Sequence, residues 1–143
     1  MRTKFNFFAI LCVIAIVVST TFTSCNKDDD EGGSTDPKDL VGTWKLLSEE
    51  WWEKDADGES DHDKETFDAD DVFLITFKSN GTYLVDDNGH TTTGTWKTDG
   101  NKLIWNWGSY NWTFSVKGKT LTLTYEDTED GDWEKSVSTL QRQ

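Results

Sequence analysis

The 143-residue chain holds only two histidines, two cysteines, one proline and one methionine. Few histidines and cysteines leave little material for a nucleophile–base pair or a soft-metal site. The order of residues contains no nucleophile elbow, no phosphate loop and no Ser-His-Asp series. Paired carboxylates could serve as acid and base, but the acids cluster between apolar segments, where a solvated face is the simpler reading. The expectation is a protein that is not an enzyme and carries no cofactor. Positive charge is scarce too: 14 Lys and Arg face 27 Asp and Glu, for a net charge of −13. Duplex binding depends on cations that neutralise phosphates, which argues against a nucleic-acid partner. No convincing amphipathic helix is present, and the length suits one domain.

What positive charge exists is placed unevenly. Arg2 and Lys4 precede an apolar run over residues 7–18, and residues 19–24 are small and polar apart from Phe22. That order is a secretory signal pattern. The run falls short of the ~20 apolar residues of a membrane span. Beyond residue 24 the chain keeps 12 basic and all 27 acidic groups, a net charge of −15. Cys12 lies within the apolar run, so Cys25 is alone after processing and no disulfide can form within the mature chain.

Phe22-Thr23-Ser24-Cys25 resembles the lipobox of bacterial lipoproteins, with Phe22 where leucine is usual. The resemblance implies a diacylglycerol thioether on Cys25, an acylated new N-terminus and a membrane contact made through lipid. Several acyl chains anchor stably where one binds marginally. Lys27, Asp28, Asp29, Asp30 and Glu31 look like the acid-rich export signal that follows the lipidated cysteine in some Gram-negative surface lipoproteins. The alternative is an acidic, solvated spacer. Residues 32–38, with Gly32-Gly33 and Pro37, read as linker. The organisation is thus signal peptide 1–24, acidic tether 25–38 and domain 39–143. The implied location is the outer membrane, exposed at the cell surface or, alternatively, facing the periplasm.

From Leu40 onward short strands alternate with turns. The first strand opens over residues 41–48 and extends toward Trp52. Others follow at 72–78, 82–86, 91–98, 102–107, 110–117, 120–125 and 133–141. Asn80-Gly81 and Asn88-Gly89 supply the left-handed conformations that tight hairpins need. Tyr110, Trp112, Phe114 and Val116 alternate with polar residues, as do Leu121, Leu123 and Tyr125, which gives one buried and one wet face. Eight such strands must close or fold over to hide the apolar face and its edges. An eight-stranded antiparallel up-and-down barrel is the first expectation and a β-sandwich the second.

Leu40-Val41-Gly42-Thr43-Trp44 resembles the Gly-x-Trp opening strand of lipocalins and the wider calycin group. Ile75-Thr76-Phe77-Lys78 with Asn80-Gly81-Thr82-Tyr83, Gly94-Thr95-Trp96-Lys97 and Leu121-Thr122-Leu123 resemble the lipocalin-like domain of small bacterial lipoproteins. The resemblance covers residues 39–143 and implies a barrel rather than one activity. It also implies an arginine near the last strand that covers the Gly-x-Trp tryptophan. Arg142, the only arginine beyond the signal, is placed to close the barrel over Gly42 and Trp44.

Two features point to function. Residues 54–71 are rich in carboxylates and read as a mobile acidic loop over one barrel mouth. Asp55, Asp57, Glu59 and Asp61 alternate there in a manner that suits a hard cation such as calcium, although the order does not fit an EF-hand. The second feature is the set of eight tryptophans. Trp44, Trp96, Trp105, Trp107 and Trp112 can point inward by alternation, which leaves a cavity smaller than the usual 300–1,000 Å³. Trp51 and Trp52 are adjacent, so a regular strand sends them to opposite faces, and one of them belongs at the ligand mouth. The expected function is a non-catalytic, lipid-anchored envelope module that binds a small molecule, a glycan or an envelope protein. The alternative is a structural or interaction accessory of an envelope complex, with a filled barrel and no ligand.

Overall fold

The computed structural model describes residues 32–106 and 112–143. A short helix α1 (Pro37–Leu40) leads into β1 (Gly42–Lys54), β2 (Ser60–Thr66), β3 (Phe73–Phe77), β4 (Thr82–Asp87) and β5 (His90–Asp99). The chain continues through β6 (Lys102–Trp105), β7 (Trp112–Lys117), β8 (Thr120–Glu129) and β9 (Asp132–Arg142). All pairings are antiparallel, and β1 pairs with β3 on one side and β9 on the other. The sheet therefore closes into an eight-stranded barrel of β1 and β3 to β9, compatible with a lipocalin-like fold. The ninth strand, β2, adds to the outer half of β1.

The turns are those the sequence demands. Asn80 Oδ1 accepts from the Thr82 backbone N–H at 3.1 Å, and Gly81 takes φ 80°. Asn88 and Gly89 both have positive φ, which gives the twist a tight hairpin needs. Alternation then fills the barrel: Trp44, Ile75, Phe77, Tyr83, Leu103, Phe114, Leu121, Leu123 and Leu140 are all buried. The closed end is built around Trp44, which is fully buried and donates Nε1–H to the Leu40 carbonyl at 2.8 Å.

Several expectations need correction. Residues 54–71 are not one open loop. Residues 60–66 form β2, which pairs with β1 from Ser48↔Thr66 to Lys54↔Ser60. The hairpin turns through Asp55 to Glu59, with Gly58 at φ 89°. The first strand runs past Trp52 to Lys54 because it has partners on both sides, β2 and β9. Residues 32–38 are not free linker either. Ser34 exchanges two backbone hydrogen bonds with Val116, both 2.7 Å, on the side of β7 that short β6 leaves uncovered. Asp36 then caps α1 by accepting from the Lys38 N–H at 2.9 Å.

Candidate functional site

Most barrel strands stop at about the same height, but β1, β8 and β9 run on. With β2 they make a four-stranded curl, in the order β2-β1-β9-β8, that extends beyond the barrel wall. A register shift between Leu46 and Ser48 resets the alternation of β1 where it leaves the barrel. After the shift Glu49 stands opposite Ser138, and the Ser138 hydroxyl donates to Glu49 Oε1 at 3.0 Å. Ser138 is buried, so Glu49, Trp51 and Glu53 share the face that continues the barrel interior, and Glu50 and Trp52 the opposite one.

The outer face is a ladder of side chains. Trp52 stacks on His62, its cross-strand neighbour, with ring centroids 5.0 Å apart and planes within 10°. Lys135 Nζ lies 5.6 Å from the Trp52 ring on the other side. His62 Nε2 is 2.9 Å from Glu50 Oε1, and Lys64 Nζ is 3.6 Å from Glu50 Oε2. Trp52 thus fastens β2 to the barrel, and together with Trp51 it also lines the cleft above the cavity.

The inner face leads into a cavity of about 380 Å³ between Leu46, Phe67, Phe73, Ile75, Trp105, Trp112, Leu123 and Leu140. Its charged lining residues are Glu49 and Asp87, both acidic. The volume lies inside the usual range for small-ligand sites, and so exceeds the sequence-based expectation. The indoles explain the difference. Trp44 plugs the closed end, and Trp96 is only half-buried, donating its N–H to the Lys78 and Thr82 carbonyls at 3.0 Å. Trp105 and Trp112 remain as cavity walls, edge-on to each other at 6.0 Å. Trp107 lies outside the described residues.

Above the cavity, Glu49, Trp51, Trp112, Tyr125, Glu134 and Ser136 line a cleft of about 240 Å³. Glu49 and Trp112 belong to both spaces. The Tyr125 hydroxyl donates to Glu134 Oε1 at 2.5 Å and to Asp127 Oδ2 at 3.3 Å. Burial, and then the Glu134 carboxylate, pushes the Tyr125 phenol well above its ordinary value. Burial also raises the Tyr83 phenol in the core.

Of the remaining expected site residues, Arg142 lies with its guanidinium carbon 4.3 Å from the Trp44 ring centroid. Its Nη1 donates to the Val41 carbonyl at 2.9 Å and its Nη2 to the Asp39 carbonyl at 2.5 Å. Gly42 makes this approach feasible: a Cβ there would stand 2.6 Å from Arg142 Nη1. Asp55, Asp57, Glu59 and Asp61 follow the exposed β1–β2 hairpin. Among the described residues no group of three or more His, Cys, Asp or Glu side chains could hold a metal ion. Cys25, Lys27, Asp28, Asp29, Asp30 and Glu31 lie outside the described residues. Sequence reasoning missed Phe67, Phe73, Glu49 and Ser136 as site residues. Alternation with Ile75 and Phe77 was a signal that could have found Phe73, but Glu49 faces inward only because the shift after Leu46 changes the phase. No protein-family profile matches the chain, and no match was found among curated proteins.

Proposed function

We propose that this chain is a non-catalytic binding module of the bacterial cell envelope, lipid-anchored through Cys25 and built on a lipocalin-like barrel. It takes a slim, largely apolar molecule into the end of the barrel that lies beneath the curl. The observation that carries this reading is the cavity of about 380 Å³, walled by Phe67, Phe73, Ile75, Trp105, Leu123 and Leu140. A barrel kept only as a scaffold gains by filling such space, because a core void forfeits dispersion contacts. The reading of Cys25 as the anchor, and of residues 27–31 as a surface-export signal, rests on sequence resemblance alone.

The test uses the mature chain from residue 25, with Cys25→Ser to remove the lipid. Trp105 and Trp112 line the cavity, so tryptophan emission is the natural readout. Titration with 1-octanol is expected to shift the emission saturably in the wild type and much more weakly in Phe73→Trp, which enlarges a ring lining the cavity. Failure of 1-octanol, octylamine and octanoate alike would overturn the reading.

A further inference from the structure

We infer that the ligand is a protonated amine on an apolar chain, its head held in the cleft by Glu49, Trp51, Trp112 and Ser136 and its tail in the cavity. The inference rests on the binding reading above and names the chemistry of the same site.

The two spaces have different characters. The cavity is walled mainly by hydrocarbon and aromatic rings, with Glu49 and Asp87 its charged lining residues. The cleft combines the rings of Trp51, Trp52, Trp112 and Tyr125 with the carboxylates of Glu49, Glu53 and Glu134. Lys135, the one basic residue lining it among the described residues, pairs with Trp52 across the strands and holds its Nζ 5.6 Å from that ring. Aromatic faces and carboxylates together attract a cation, and the attraction grows as the site loses water. The register continues the negative face outward: Asp61, Asp63 and Glu65 of β2 pair with Glu53, Trp51 and Glu49.

Acidity alone would describe a solvated surface. The second observation comes from two polar atoms of residues that line the cleft. Ser136 is 9% exposed, and its hydroxyl is shielded from solvent without a hydrogen-bond partner. Trp112 Nε1 is likewise shielded and unpartnered. Both residues line the cleft. Buried polar groups are costly to leave unpaired. An ammonium N–H satisfies the Ser136 oxygen and reaches Glu49, which already accepts from Ser138 and has lone pairs to spare. An oxygen beside the amine, in a hydroxyl or amide, would accept from the Trp112 indole. Glu49 lines both spaces, so it marks the junction of head and tail.

The discriminating experiment compares octylamine, 1-octanol and octanoate on the same mature chain at pH 7 and low salt. Chain length is constant, so only the head varies. Octylamine is expected to bind about tenfold or more tightly than 1-octanol, as cation–π contacts and a carboxylate in a partly desolvated site permit. Octanoate should bind weakest. Glu49→Gln keeps the shape of the side chain and should abolish the preference for octylamine over 1-octanol. Ser136→Ala should weaken octylamine severalfold while thermal unfolding confirms that the barrel is intact. Octylamine no tighter than 1-octanol, or a preference that survives Glu49→Gln, would overturn the inference and leave the binding reading standing. Absence of binding by all three would overturn both.

Discussion

At the scale of single residues, the closed end of the barrel turns on three residues, Gly42 and Trp44 at the start of the barrel and Arg142 a hundred positions after Gly42. Trp44 fills the end, Arg142 lies over its ring, and Gly42 leaves the guanidinium room. Gly42 has φ 146°, a conformation that L side chains rarely adopt. Resemblance to the Gly-x-Trp strand pointed to this trio from sequence, and the geometry supplies its physical reason. Arg142→Lys keeps the charge but loses the planar stack and one of the paired donors to Val41 and Asp39. Its cost is expected at about 1–2 kcal/mol, read as a lower urea midpoint. A midpoint equal to wild type would show that the contact adds nothing.

Tyr125 gives a pH dependence. Burial raises its folded pKa above the ordinary phenol value of about 10, so the neutral phenol is favoured in the folded state. The unfolded chain releases this proton first as pH rises. The contribution is therefore complete below about pH 10 and is lost progressively above it as pH climbs toward the folded value. Urea midpoints measured from pH 9 to 11 should fall less steeply for Tyr125→Phe than for wild type. Parallel curves would contradict the assignment. Tyr83 shifts in the same direction, so part of the slope should survive the substitution.

Secondary-structure elements were legible in proportion to how much apolar surface they bury. β7 and β8 announce themselves through Phe114, Val116, Leu121, Leu123 and Tyr125, whose alternation is unambiguous. β2 does not, because every one of its residues is exposed. Its sequence, Ser60 to Thr66, has period two in charge and none in hydrophobicity. Asp61, Asp63 and Glu65 fall on one face, and His62, Lys64 and Thr66 on the other. The cues were Asp57-Gly58, a hairpin turn signal, and the opposite charges across from Glu50. Cross-strand pairs hold β2 in place, chiefly the Trp52–His62 stack and the contacts of Glu50 with His62 and Lys64. Exposed ion pairs contribute little, whereas a stacked aromatic pair is worth about 0.5–1.5 kcal/mol. Trp52→Ala should therefore release β2 locally. Amide exchange at residues 60–66 is expected to accelerate severalfold, while exchange at Leu121, Leu123 and Leu140 stays near wild type. Equal acceleration throughout would mean that β2 and the barrel unfold as one unit.

At the scale of the whole molecule, closure itself was only partly legible. The number of apolar strands required a sheet that hides its edges, but no local pattern says that β1 joins β9 from Trp44 to Lys54. That long pairing depends on a register shift, and the shift turns Glu49 into the barrel and so makes the candidate site. Polarity along the barrel follows. The described chain enters by way of Ser34 beside Val116 and of α1 beneath Trp44, at the closed end. The cavity lies toward the opposite end, under Trp51 and Tyr125. The described chain thus enters the barrel away from the mouth, so the proposed anchoring through Cys25 and the proposed binding are expected to be separable. Cys25→Ala in the full chain should abolish metabolic labelling by an alkyne fatty acid. The mature chain should keep the same affinity for octylamine whether residue 25 is lipidated or replaced by serine. Labelling of Cys25→Ala equal to wild type would remove the anchor from the proposal, and an affinity that depended on the lipid would show that the acyl chains reach the cavity.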